Sequence, residues 1–169
     1  RQMALNDDRT VLYVGSSSIP HWADQPVGEG NTANRRAETL YALELNPEKT
    51  RATATYVIAT GQEEPHGVAY RNGALYYATT GSLKRVAGID GKYRDGVLQG
   101  EELWRFPASD TPFPMPDVPP WRWYHQKHPL YFNSMDPADA HLYTAVGIPC
   151  NVCVTIKDPR YGTVMRVDP

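Results

Sequence analysis

Gly67-Val68-Ala69-Tyr70-Arg71-Asn72-Gly73-Ala74-Leu75-Tyr76-Tyr77-Ala78 is the stretch that decides the fold of this 169-residue chain. Two apolar, β-prone runs flank an Asn-Gly dipeptide, which is the strongest short-range signal for a β-hairpin. The same order of apolar strand, Asn or Asp turn and tyrosine-centred strand occurs twice more. The other copies are Met3-Ala4-Leu5-Asn6-Asp7-Asp8 before 11–15, and Tyr131-Phe132-Asn133 through Asp136 into 142–147.

The three copies recur at a nearly constant period. Their central tyrosines, Tyr13, Tyr76 and Tyr143, lie 63 and 67 residues apart. Each copy is followed by a third strand candidate, and two copies are followed by a fourth. These candidates are 40–45, 54–59, 83–86, 102–106 and 163–167. Four antiparallel strands in about 65 residues are typical of a β-propeller blade, so we predict an all-β propeller with about two and a half to three blades in this chain.

The predicted organisation has four parts. We expect blade 1 at about 1–60, blade 2 at about 61–106, a proline-rich connector at 107–120 and an incomplete blade 3 at about 121–169. Propellers close with about four to eight blades. We therefore expect the N-terminal portion of a larger ring, whose remaining blades come from the rest of the polypeptide or from another chain.

Composition excludes several classes of protein. Seventeen basic against nineteen acidic residues give a formal charge of −2, which does not favour a nucleic-acid partner. No apolar run approaches the roughly 18 to 20 residues that a membrane helix needs. Thirteen glycines and fifteen prolines disfavour a helical bundle. The two cysteines, Cys150 and Cys153, are too few for a structural zinc site, and no metal ligand is assigned in this chain.

Polar residues gather in the segments that precede the predicted inner strands. Gly61-Gln62-Glu63-Glu64-Pro65-His66 precedes the second, Trp121-Arg122-Trp123-Tyr124-His125-Gln126-Lys127-His128 precedes the third, and Arg1-Gln2 precedes the first. A loop that enters an innermost propeller strand opens at one mouth of the channel. A histidine there titrates near neutrality and is suited to withdraw a proton from an alcohol. The alternative interpretation is that each histidine caps a turn or fills space.

Two runs carry a family resemblance that extends over essentially the whole chain. They are Pro65-His66-Gly67-Val68-Ala69-Tyr70-Arg71-Asn72-Gly73-Ala74-Leu75-Tyr76 and Val146-Gly147-Ile148-Pro149-Cys150-Asn151-Val152-Cys153. Both resemble the sorbosone dehydrogenase-like branch of the soluble sugar dehydrogenases that depend on pyrroloquinoline quinone (PQQ). The resemblance implies a six-bladed propeller with PQQ in the channel mouth and with Ca²⁺ whose ligands lie in later blades. It also implies a periplasmic or secreted location, where Cys150 and Cys153 could form a local disulfide.

The resemblance also implies roles for individual residues. It places the catalytic base at His125 and a cofactor-binding residue at Gln62. His66 and His128, which stand in the same segments, are further candidates for cofactor binding, and His128 also competes for the role of the base. Tyr124 stands where the family has an aspartate, so another group must orient the base. The implied reaction is hydride transfer from a sugar alcohol or aldehyde hydrate to the quinone C5 carbon, while His125 withdraws the hydroxyl proton. The electrons then pass to an external acceptor.

Two other functions stay open from the sequence. A metal-dependent, lactonase-type propeller hydrolase needs carboxylate ligands that converge on the axis, and only Glu63 and Glu64 stand in a suitable segment. A non-catalytic propeller binding module is the third interpretation.

Overall fold

A computed structural model describes residues 3–16, 39–60, 65, 67–79, 82–105, 131–132, 136–138, 141–147 and 164–167. These residues form twelve β-strands and one short 3₁₀ turn at Ile89–Gly91, without an α-helix among them. The strands are β1 (Met3–Leu5), β2 (Val11–Ser16), β3 (Thr39–Leu45), β4 (Ala52–Ala59), β5 (Gly67–Arg71), β6 (Ala74–Thr79), β7 (Ser82–Ala87), β8 (Glu101–Arg105), β9 (Tyr131–Phe132), β10 (Asp136–Ala138), β11 (His141–Gly147) and β12 (Val164–Val167). The all-β class is confirmed. In this part of the chain no helix is long and apolar enough to cross a membrane.

The strands form three antiparallel, four-stranded sheets. The first sheet has the order β1-β2-β3-β4 and the second has the order β5-β6-β7-β8. In the third sheet β10, β11 and β12 are neighbours, and β9 also pairs with β11. Strands that follow one another along the chain are thus neighbours in the first two sheets. The predicted series of four-stranded units is confirmed at this level.

The stretch 67–78 forms the predicted hairpin. Strands β5 and β6 pair along their whole length, and only Asn72 and Gly73 lie between them. These two residues have φ angles of 49° and 74°. A two-residue turn that matches the right-handed twist of its strands needs positive φ at both positions, which Asn and Gly adopt at low cost. The local sequence therefore determines the register of the β5–β6 hairpin.

The first sheet uses a different turn, and uses it twice. After β1 and again after β3, the side-chain oxygen of an asparagine, Asn6 or Asn46, accepts backbone N–H groups from the fourth and fifth residues after it. The distances are 2.8 and 3.0 Å in both turns. A basic residue in each turn, Arg9 or Lys49, has a left-handed backbone with φ of 56° or 58°. The side chain thereby replaces backbone hydrogen bonds that the turn leaves unmade.

The repeat is visible in the strand register as well as in the sequence. Tyr13 of β2 lies opposite Ala4 of β1, and Tyr76 of β6 lies opposite Ala69 of β5. We call the face that bears this tyrosine the front face of its sheet, and the opposite face the back face. The first two sheets are therefore equivalent residue by residue around these pairs, and their faces can be compared directly.

The core lies between successive sheets. One cluster joins the front face of the first sheet to the back face of the second, and another joins the front face of the second to Met165 of the third. The first cluster contains Val11, Tyr13, Leu40, Ala42, Ile58, Ala59, Val68, Leu75, Tyr77, Val86, Ile89 and Tyr93. The inner strands are also neighbours, because β1 lies against β5 and β5 lies against β10. The second sheet thus packs against its neighbours on both of its faces.

The third sheet corrects one feature of the sequence interpretation. Asp136 was assigned to the turn, but it pairs with Tyr143, and Pro137 pairs with Leu142. Strand β10 has a single neighbour in its sheet, so a proline without a backbone N–H is tolerated there. Strands β9 and β10 both pair with β11.

Candidate functional site

The inner strands β1 and β5 begin side by side at one end of the two sheets. A Cβ atom on Gly15 would lie 2.8 Å from the backbone oxygen of Pro65. Gly15 follows Val14, which pairs with Met3, the first residue of β1. Pro65 comes just before β5, so both strands start here and run in the same direction. We call this region, which comprises Gly15, Pro65 and the first residues of β1 and β5, the entry end.

Hydroxyl-bearing residues occupy the entry end of both of these sheets. Thr79, the last residue of β6, has its Oγ1 atom 2.6 Å from Oγ of Ser82, and both side chains are buried. In the first sheet the corresponding residues of the register are Ser16 and Thr39, and the Thr39 side chain is buried. Because the Thr79 and Ser82 hydroxyls bond to each other, their burial is compensated and the hairpin end is held in place.

The predicted catalytic and cofactor-binding residues stand in segments that precede inner strands in the sequence. Outside the described residues lie Gln62, Glu63, Glu64, His66, Trp121, Trp123, Tyr124, His125, His128, Cys150 and Cys153, together with the connector 107–120. Pro65 and Gly67, the chain neighbours of His66, are both described and both buried. In the third sheet Tyr131, the first residue of β9, pairs with Gly147 at the end of β11. In the sequence, the segment with His125 and His128 precedes β9 and the segment with His66 precedes β5.

A second polar cluster lies on the hairpin side of β5. The hydroxyl of the fully buried Tyr13 donates to Asp90 Oδ1 at 3.1 Å, and the Tyr70 hydroxyl donates to Asp90 Oδ2. The two tyrosine rings are stacked with their centres 5.9 Å apart. Asp90 belongs to the 3₁₀ turn, which Ile89 holds to the β5–β6 hairpin through a 2.9 Å hydrogen bond to the Gly73 oxygen. This cluster joins the first and second sheets.

A third cluster joins the same two sheets at their outer side. Glu44 Oε1 accepts a hydrogen bond from the Tyr93 hydroxyl at 2.8 Å and another from Arg94 Nε at 2.6 Å. Tyr56 of β4 meets the Tyr93 ring edge-on at 5.5 Å. The hydrogen bonds from Tyr93 and Arg94 lower the pKa of the Glu44 carboxyl below its ordinary value of 4.5. Glu44 therefore remains a carboxylate at neutral pH.

Both tyrosine clusters stabilise the fold and do not supply a base. Burial, with Asp90 as the further cause, raises the pKa of Tyr13 far above its ordinary value and raises that of Tyr70 to about 12. Burial and the Glu44 hydrogen bond raise the pKa of Tyr93 to about 12. Phenols with such pKa values stay protonated at neutral pH and act as hydrogen-bond donors. Within the described ranges no group of three or more His, Cys, Asp or Glu is placed to hold a metal ion.

Sequence analysis missed both the paired hydroxyls and the tyrosine–aspartate cluster. The hydroxyls had a signal, because Ser16 and Thr79 both come three residues after the repeat tyrosine. Tyr13 lies in the first sheet and Asp90 in the 3₁₀ turn after β7, 77 residues away, so no local pattern connects them.

No protein family, curated protein or solved structure matches this chain. The resemblance described above therefore depends on the quoted motifs alone, and the function it implies is a proposal.

Proposed function

We propose that this chain is the N-terminal portion of a six-bladed β-propeller that oxidises a sugar or a sugar-derived aldehyde or alcohol with PQQ. The three sheets correspond to its first three blades, the third of them incomplete. The remaining blades come from the rest of the polypeptide or from another chain. The quinone motifs in the sequence give the chemistry, and the repeated sheets are compatible with the ring.

The observation that carries this proposal is the approach of Gly15 to Pro65. It brings the starts of β1 and β5 to one end of neighbouring inner strands. Short polar segments that precede successive inner strands then converge on one mouth, where a planar cofactor can contact several of them at once. Active-site residues are commonly held on loops that a rigid β-scaffold positions in this way.

The proposed roles follow the sequence assignments. Gln62 and His66 precede β5 and bind the cofactor, and His125, ahead of β9, withdraws the substrate hydroxyl proton. His128 contributes to cofactor or substrate binding. PQQ supplies the redox chemistry when it is bound, by accepting the hydride. Ca²⁺ belongs to this proposal only through the resemblance, because the described residues offer no cluster of ligands for it.

The substrate is a small molecule, and an external acceptor takes up the electrons. We propose a periplasmic or secreted location, in keeping with the same resemblance. Hydroxyl groups of a sugar would find polar partners at the mouth, and we propose Trp121, Trp123 and Tyr124 as stacking partners for the sugar; packing of these rings against the proline-rich segment is the alternative.

The test is a dye-linked oxidation assay on the complete protein reconstituted with PQQ and Ca²⁺. His125→Ala should lower kcat by about 10² to 10⁴-fold, the usual contribution of a general base, while leaving PQQ affinity nearly unchanged. His128→Ala should change kcat less and should weaken PQQ or substrate binding more.

Two results would contradict the proposal. If neither variant changed turnover by more than a fewfold, the histidines would not act in catalysis. If the complete protein failed to bind PQQ, the dehydrogenase assignment would be wrong. Lactone hydrolysis that requires a metal and not PQQ would then favour the hydrolase.

A further inference from the structure

The buried hydroxyl pair at the entry end has one hydroxyl hydrogen that is poorly bonded. Thr79 and Ser82 are 3% and 1% exposed, and the bond between their hydroxyl oxygens uses one of the two hydrogens. If Ser82 donates to Thr79, the Thr79 hydrogen has one acceptor among the described residues, the Ser82 backbone oxygen at 3.5 Å. This distance is well beyond the usual O–H···O distance of about 2.8 Å. A hydroxyl buried in this way calls for a better acceptor.

The register of β5 and β6 points to His66 as that acceptor. The last pair of the ladder at the entry end is Gly67 with Ala78, and the next residue along each chain is His66 or Thr79. His66 itself lies outside the described residues, but both of its chain neighbours are held in place. Gly67 is paired within the sheet, and Pro65 is buried with its backbone oxygen close to the first sheet.

We propose that the Thr79 hydroxyl donates a hydrogen bond to a ring nitrogen of His66, and that Ser82 supports this bond by donating to Thr79. A neutral imidazole has one nitrogen that accepts a hydrogen bond and one that donates. The bond at one nitrogen determines which of the two carries the proton. The other nitrogen then keeps its N–H, which can donate to an oxygen of the cofactor. Thr79 and Ser82 are thus positioning residues for His66.

The position of Thr79 in the sheet favours a strong and specific hydrogen bond. Thr79 comes two residues after Tyr77, so it shares the back face of the second sheet, which packs against the first sheet. Water has little access to a hydroxyl that is 3% exposed, and a hydrogen bond is stronger where water is excluded. The bond itself needs no cofactor. Its use in holding PQQ rests on the proposed function.

The experiment is a double-mutant cycle on the complete protein without PQQ, read from the midpoint of urea denaturation. Thr79→Val should lower the midpoint about half as much in a His66→Ala background as in the native one, because one of its two hydrogen bonds is then already absent. Ser82→Ala is the matched control. It removes the bond between the hydroxyls and leaves the Thr79 hydroxyl, so it should cost the same in both backgrounds. Thr79→Ser keeps the hydroxyl and should not couple to His66→Ala.

Calorimetric titration of the same variants with PQQ separates this inference from the proposed function. Thr79→Val should weaken PQQ binding by about two- to tenfold in the native background and not in the His66→Ala background. Equal midpoint losses for Thr79→Val in both backgrounds would overturn the hydrogen bond, and unchanged PQQ affinity would overturn the positioning role. A protein that shows the coupling in urea but does not bind PQQ supports the hydrogen bond and refutes the proposed function alone.

Discussion

Replacing Gly15 with alanine is the sharpest perturbation of the entry end. The added methyl carbon would lie 2.8 Å from the Pro65 oxygen and 3.3 Å from the Pro65 Cβ. An ordinary carbon–oxygen contact is about 3.3 Å or longer, so the two atoms must separate by about 0.5 Å. The obstructing oxygen belongs to the backbone of a buried proline, which cannot rotate away as a side chain can. We expect Gly15→Ala to lower the free energy of unfolding by about 1 to 3 kcal/mol.

The assay is equilibrium denaturation of the complete protein in urea, with Gly91→Ala as the matched control. A Cβ atom at Gly91 meets no atom within 4 Å, and its φ is not positive. The control therefore reports the effect of the same substitution on the unfolded chain, which is neutral to stabilising by up to about 1 kcal/mol. The denaturation midpoint should fall for Gly15→Ala only, with an unchanged slope. Equal midpoints would refute the close approach of β2 to the start of β5.

Other predictions concern hydroxyls and thiols. In the same urea assay, Tyr13→Phe should lower the free energy of unfolding by about 1 to 2 kcal/mol, because it removes the hydrogen bond to the Asp90 carboxylate. Tyr77→Phe should be neutral or stabilising, because burial alone raises the pKa of the Tyr77 hydroxyl. A larger loss for Tyr77→Phe than for Tyr13→Phe would contradict the structure. Near-ultraviolet titration should place the phenol pKa values of Tyr77 and Tyr93 near 12, against 10.0 unfolded, and overlapping native and unfolded curves would contradict this. Because the native pKa is the higher one, this contribution to stability is complete below pH 10 and is lost as the pH rises through about 12. Alkylation followed by mass measurement should find Cys150 and Cys153 oxidised, and two free thiols would oppose an extracytoplasmic location.

The architecture could be predicted from the sequence where residues close together in the chain determine it. The Asn72-Gly73 dipeptide predicts the hairpin, and the repeated tyrosines predict the series of four-stranded sheets. Asp136 shows where local interpretation fails. Asp and Pro favour turns in isolation, but here they pair with β11, because the extended inner strand outweighs their low strand propensity.

The candidate site was predictable only in part. Sequence order places His66 and His125 ahead of strands β5 and β9, which begin at Gly67 and Tyr131; the two histidines themselves lie outside the described residues. The contact between Gly15 and Pro65 could not be predicted, because it depends on how two sheets pack. Packing between elements distant in sequence leaves no periodic pattern from which to infer it.

The central claim is that the segments at the entry end bind PQQ, and calorimetric titration of the complete protein with PQQ tests it most directly. We predict one PQQ per ring, with affinity lowered at least about tenfold by His66→Ala, since a buried hydrogen bond to a charged ligand contributes about 1.5 to 3 kcal/mol. His141 is the control, because it begins β11 and pairs with Ala138, whereas Tyr131 pairs with Gly147 at the other end of β11. His141→Ala should leave the affinity unchanged. Absence of PQQ binding, or equal weakening by the two variants, would contradict the account.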